Sequence, residues 1–189
     1  MLRDGRARQT MEGSMKGLLF TLALVSTPFA AAPAAPADEA AADLPPALAG
    51  LAWYEGSWTS EQPAEGNLKN RITLTYAWME GRRFMATQAV SAIGDLRTEA
   101  RGFLGLDPET GTLTSWTFVS DGGMNVMRAT SAPGADTLVF EGRPGGPGGA
   151  ELRASFAREG PDAYRMLVEG RSGDRWVPAG STLFRRARR

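Results

Sequence analysis

The sequence contains no histidine and no cysteine. Without histidine, the usual general base near neutral pH and the commonest metal ligand are missing. Ser–His and Cys–His nucleophile pairs are excluded, as are zinc sites built on His or Cys, and no metal or other cofactor is expected. Without cysteine there is no disulfide, so stability must come from a packed core. With 42% hydrophobic residues and five tryptophans in 189 residues, one domain can bury such a core. An excess of charge is missing too, since 21 basic residues balance 21 acidic ones. No global field then draws a nucleic acid, and none is expected as a partner. The local exception, Arg185-Arg186-Ala187-Arg188-Arg189, reads as a solvated tail.

A long apolar run is also wanting. Gly17 to Val25, after Lys16, falls short of the ~20 residues that a spanning helix needs. With the small residues from Ser26 to Ala37 behind it, the pattern is that of a Sec-type signal peptide over residues 1–37. Asp4 and Glu12 suit a basic leader poorly, so Met15-Lys16-Gly17 makes the cleaner start. Pro33 disfavours cutting after Ala32, which leaves cleavage after Ala34 or Ala37. No cysteine follows the run, so a lipoprotein is excluded. A periplasmic or secreted protein, with no membrane span in its mature form, is expected. Residues 38–47 read as a flexible Ala/Pro linker and residues 48–189 as the folded domain.

What the domain does contain is strands. Gly102 to Asp121 reads GFLGLDPETGTLTSWTFVSD, two strand-forming runs about a turn in which Asp107 caps, Pro108 fixes φ and Gly111 supplies positive φ. Ten such runs are expected, at 56–62, 70–78, 82–92, 97–107, 112–121, 124–131, 136–142, 150–158, 163–170 and 175–185. Several alternate with period two, Ile72, Leu74, Tyr76 and Trp78 sharing one face and Arg71, Thr73, Thr75 and Ala77 the other. No long helical period follows Tyr54, while Leu48, Leu51 and Trp53 would plug one opening on a short helical turn. The fold class is all-β: an antiparallel up-and-down barrel of about ten strands, which buries one face per strand and hides every edge. A two-sheet sandwich is the rival.

Two segments resemble known proteins. Gly56-Ser57-Trp58, early in an all-β chain, is similar to the opening signature of the lipocalin and fatty-acid-binding (calycin) superfamily. The resemblance implies that Trp58 closes one end, with Arg185, or its neighbour Arg186, packed across the ring by cation–π contact. The GFLGLDPETG segment looks like a bacterial family known only as a domain of unknown function, whose fold is thought to be a nitrobindin-like ten-stranded barrel. Nitrobindins hold haem iron through an axial histidine, so the resemblance implies their fold without that ligation.

A barrel of this size either fills its interior or holds one small ligand. Trp78, Trp116, Met127 and Arg128 are the residues expected to line or rim such a site, for a small apolar or amphipathic ligand. Arg101, Arg128 and Arg165 lie in mid-strand, where an inward guanidinium could clamp a carboxylate, although an outward one on a wet face is the simpler reading. Arg153, between Leu152 and Ala154, is expected to face out. Glu99, Glu169 and Asp107 form no recognisable catalytic pair, so no catalytic residue is assigned. The alternatives to a ligand carrier are an interaction module with a filled barrel and a cofactor-free isomerase or cyclase.

Overall fold

The computed structural model describes residues 44–64, 68–132, 134–145 and 149–188. The expected signal peptide, and the linker up to residue 43, lie outside the described residues. A short helix α1 (Pro46–Ala49) and a 3-10 turn (Ala52–Tyr54) lead into ten strands. These are β1 (Gly56–Pro63), β2 (Lys69–Trp78), β3 (Phe84–Ile93), β4 (Leu96–Leu106) and β5 (Leu113–Val119). Then come β6 (Met124–Ala129), β7 (Thr137–Gly142), β8 (Leu152–Arg158), β9 (Ala163–Ser172) and β10 (Arg175–Arg186). Each pairs antiparallel with its sequence neighbours, and β10 returns to β1 to close the barrel. All ten expected strands are present, and the sandwich is excluded.

The hairpins form where turn chemistry permits them. Asp107 Oδ1 accepts hydrogen bonds from the Glu109 and Thr110 amides (2.9 and 3.4 Å), and Gly111 takes φ +68°. Glycine also lets the wall bend. A Cβ on Gly102 would lie 2.1 Å from the Trp116 carbonyl oxygen, so β4 and β5 approach there only because no side chain intervenes.

The seam between β1 and β10 is brief, with Trp58 opposite Arg186 and Thr59 opposite Arg185. Beyond it, β10 bulges between Pro178 and Gly180 and a Gln62 side chain reaches across to the Ser181 carbonyl (3.1 Å).

The core sits at the end where the N-terminal plug enters. Leu48, Leu51 and Tyr54 of the plug are buried against Trp58, Tyr164 and Phe184, and Trp53 packs beside them as expected. Burying each leucine contributes roughly 1.5–3 kcal/mol. Leu44, read as linker from the sequence, is buried too, so the packed body starts before residue 48. Trp58 is 0% exposed, and its indole N–H donates to the Tyr54 carbonyl at 2.7 Å.

Two arginines fasten the plug. Arg186 stacks on Trp58 with its guanidinium carbon 4.2 Å from the ring centroid, and donates to the Glu55 and Trp53 carbonyls (2.7 and 2.9 Å). Arg158 donates to the Gly50 carbonyl (2.8 Å) and lies 4.8 Å from the centroid of Trp53. Arg186, not Arg185, therefore closes the barrel. One register step separates them, and the pleat turns Arg185 outward beside exposed Thr59.

Substituting Arg186→Ala removes a stacked cation and leaves two plug carbonyls without that donor. We expect a loss of about 2–4 kcal/mol in chemical denaturation, against less than about 0.5 kcal/mol for Arg185→Ala. Equal effects from the two variants would contradict this assignment.

Candidate functional site

The register fixes which side chains face the lumen. From Trp58 inward-facing, Leu74 on β2, Ala89 on β3, Ala100 on β4 and Val119 on β5 follow as direct partners. The next ring is Tyr76, Thr87, Gly102, Thr117 and Asn125. A third runs from Trp78 through Met85, Leu104, Ser115, Met127 and Gly142 to Leu152. In its middle stretch the inner wall of β3 to β5 is thus built of small and hydroxylated residues (Thr87, Ala89, Ala100, Gly102, Ser115, Thr117), with Met85 and Leu104 toward the plug and Met127 on β6, while β2 and β7 to β10 supply Ile72, Leu74, Phe140, Met166 and Val168.

Small residues on a ten-stranded barrel leave room at its axis. Ile72, Leu74, Tyr76, Met127, Met166 and Val168 all face inward in a closed barrel, yet each remains half-buried rather than buried. Plug-end residues such as Met85 (0% exposed) and Leu104 (7%) are sealed. The barrel is filled at one end and loosely lined toward the other.

All three tyrosines of the chain gather at the floor of this lumen. Tyr54 lies 6.2 Å from Tyr76 and 5.5 Å from Tyr164, ring centroid to ring centroid, and Tyr164 stacks on Phe184 at 5.1 Å. Burial of its hydroxyl pushes the Tyr76 phenol up to about 12, with a smaller opposing effect from the Tyr164 hydroxyl. Burial also raises Tyr164, and the neighbouring Tyr76 adds to the rise. Tyr54 is raised by burial against the opposing pull of Arg158. The Tyr164 hydroxyl and the Trp78 indole N–H are buried without a good hydrogen-bond partner.

The four residues expected at a ligand site divide evenly. Trp78 and Met127 face inward. Trp116 and Arg128 do not: Trp116 opposes Phe103 and Val126 on the outer wall, and Arg128 opposes Thr114 and Glu141 there. Alternation along β5 puts Trp116 and Phe118 on one face, and that aromatic face is the outer one. Arg101 and Arg165 are exposed and outward as well, which removes the carboxylate clamp. Arg153 is outward, as expected.

Arg128 belongs to a ladder of alternating charge. Glu141 stands opposite it, Arg153 opposite Glu141, and Glu169 opposite Arg153. Arg153 bonds Glu141 at 2.9 Å and lies 3.8 Å from Glu169, with Trp176 stacked over its guanidinium at 4.4 Å. Glu99 is 3% exposed but also points outward, its Oε1 held by Arg97 at 2.9 Å. It does not face the lumen, so the isomerase or cyclase reading loses its buried acid. Among the described residues no cluster of three or more acidic side chains could hold a metal, and no helix is long and apolar enough to cross a membrane.

Two recesses open on the outside of the barrel. One, of about 330 Å3, lies at the rim beside Glu141, Arg143, Glu151, Arg171 and Trp176. Its charges satisfy one another: Arg143 pairs with Glu151, whose carboxyl it holds below the usual range, and Arg171 lies 3.9 Å from Asp174. The other, of about 380 Å3, is wholly apolar and is walled by Met79, Phe84, Phe103, Pro108 and Trp116.

The fold defines a closed ten-stranded antiparallel barrel with a plugged end. No family model and no curated protein matches the chain. Among solved structures it is similar to the crystal structure of Rv2717c from M. tuberculosis, with a TM-score of 0.56 and 20% identity over 77% of this chain and all of that one. At that identity the likeness concerns the fold alone.

The tyrosine floor makes a prediction about alkali. Folded phenols raised above their ordinary value of 10.0 keep their protons when the unfolded chain would lose them. Their contribution to stability is fully present below pH 10 and is lost as pH rises toward about 12. Phenolate absorbance should therefore appear only together with loss of the far-ultraviolet strand signal. A tyrosine titrating reversibly near its ordinary value in the folded barrel would refute this.

Proposed function

We propose that this chain is an exported barrel that carries a small, uncharged amphipathic molecule in its lumen, and that it is kin to the family of unknown function that its Gly102–Asp121 segment resembles. The observation that supports the reading is the composition of the lumen wall. One side is apolar, through Ile72, Leu74, Met166 and Val168, and the other carries the hydroxyls of Thr87, Ser91, Ser115 and Thr117 with the Asn125 amide, Met127 standing among them. A ligand matching it has an apolar edge and a hydrogen-bonding edge.

The charge distribution narrows the class. Charged strand residues lie on the outer face, apart from Arg158 and Arg186 at the plug and Arg175 at the tip of the β9–β10 hairpin. Both plug arginines are committed to plug carbonyls. Between the plug and the rim an ionised headgroup would meet no charge of opposite sign, which costs several kcal/mol, while at the floor Arg158 keeps one buried Nε–H without an acceptor. The other two floor donors, Tyr164 O–H and Trp78 N–H, suit a carbonyl or ether oxygen.

A neutral solvatochromic dye tests the reading. It should bind the purified protein with a blue-shifted emission, and its carboxylate analogue should bind markedly more weakly. Ala89→Trp, which fills the ring between Leu74 and Ala100, should weaken binding about tenfold or more, whereas Ala157→Trp on the outer face should not. Loss of the carrier reading would follow from no binding, or from Ala89→Trp leaving it intact.

A further inference from the structure

The barrel is bonded shut along only part of its seam. On one side β1 pairs with β2 without a gap from Gly56 to Pro63. On the other, Trp58 and Thr59 alone stand in register with β10. The sequence explains why the ladder stops. The Ala187 amide donates to the Ser57 carbonyl (2.8 Å), so by alternation residues 59, 61 and 63 also turn their backbone groups toward β10. Counting on from Trp58 and Arg186 sets Pro63 opposite Ser181, and a proline has no amide to give. The Ser181 carbonyl accepts the Gln62 side-chain amide instead, at 3.1 Å. The edge of β10 has the same defect. The Arg171 amide donates to the Glu151 carbonyl (2.9 Å), so the backbone groups of Gly170 and Ser172 turn to their partners Val177 and Arg175. Position 178 therefore points away from β9 toward β1, and it too is a proline, with the bulge directly after it.

The result is a slit in the wall, framed by two contiguous uncharged runs, Gln62-Pro63 and Pro178-Ala179-Gly180-Ser181. The nearest acid, Glu61, is tied to Lys69 and Arg71 on β2. Behind the slit the interior is unfilled. Val177 and Gly180 face inward as the partners of Gly170 and Val168. Val177 is nevertheless 48% exposed, and no described atom lies within 4 Å of where a Gly180 Cβ would stand. A strand from another chain is poorly suited to fill the gap, because each edge lacks a donor at its proline. A small molecule needs no such donor.

We infer that the slit between β1 and β10 is the door through which the lumen takes up and releases its ligand, with the Gln62 side chain as the strap across it. The inference rests on the carrier reading for what passes, and adds the route. Releasing the strap costs little, since the Ser181 residue it bonds is already exposed to water. The plug is untouched by that motion, because Arg186 and Arg158 hold it from the opposite end of the seam. An uncharged frame also lets a neutral molecule through without opposing it with an ion's hydration shell.

The chain has no cysteine, so two thiols can be placed at will. Glu61→Cys with Ser181→Cys, both exposed, puts one on each side of the slit, to be joined by a short bis-alkylating reagent. Joining should slow association and release of the neutral dye about tenfold or more in stopped flow, with Kd within about twofold of the unjoined protein. Gln62→Ala should speed both steps. The same cross-link between Thr73→Cys and Val90→Cys, partners on the outer face of β2 and β3, should change neither. Without any ligand, the Glu61 and Leu183 amides should exchange with solvent about tenfold or more faster than those of Thr59 and Arg185. Unaltered dye rates after joining overturn the inference, as do slowing by both cross-links alike and equal protection of the four amides. If the unjoined protein binds no dye, the carrier reading falls and the door falls with it.

Discussion

Arg186 holds the architecture together at one point. Its guanidinium lies flat on Trp58, donates to two carbonyls of the incoming plug and stands in register across the seam that makes the sheet a cylinder. Trp58 in turn donates to Tyr54, and Tyr54 touches the other two tyrosines of the floor. Core, plug and closure are therefore one interaction seen from three sides. Gly56 fits the same arrangement: it takes φ +110°, and a Cβ there would come 3.3 Å from the Arg186 guanidinium. A chain without disulfides concentrates its packing where first and last strands meet, the place where a barrel would otherwise open.

Much of this was legible in the sequence, for physical reasons. Turn chemistry survives translation into structure because it is local: Asp107 caps its hairpin through its own neighbours, whatever the rest of the chain does. Period-two alternation was equally dependable in saying which residues travel together, as Ile72, Leu74, Tyr76 and Trp78 do. The short plug was visible as three large apolar residues on a turn with no strand pattern.

Periodicity alone cannot say which of two faces is inner. On β5 the heavier face, Trp116 with Phe118, invited the usual assumption that aromatics point inward, and pairing decided otherwise. The clue lay one strand earlier. Phe103 shares its face with Arg101 and Glu99, so that face of β4 had to be the wet one, and Trp116 sits directly across from Phe103. Arg128 was misread for a related reason: its partners Glu141, Arg153 and Glu169 are scattered over three later strands, and only the register assembles them. The choice between Arg185 and Arg186 likewise turned on a single register step. Trp78 was recovered because the inner face of β2 is also the more apolar one, whereas on β6 Met124 and Val126 weight the outer face as heavily as Met127 weights the inner.

The seam has a consequence for how the cylinder is made. Nine of the ten strand pairings join neighbours through a hairpin or a loop, so they can form locally and early. The pairing of Trp58 with Arg186 spans nearly the whole domain and rests on two register pairs, so the entropy of bringing distant segments together falls mostly on that one event. A curved open sheet can assemble hairpin by hairpin, but it becomes a vessel only when its last strand finds its first. The rate at which the protein acquires an interior is then governed by a search for one tryptophan by one arginine.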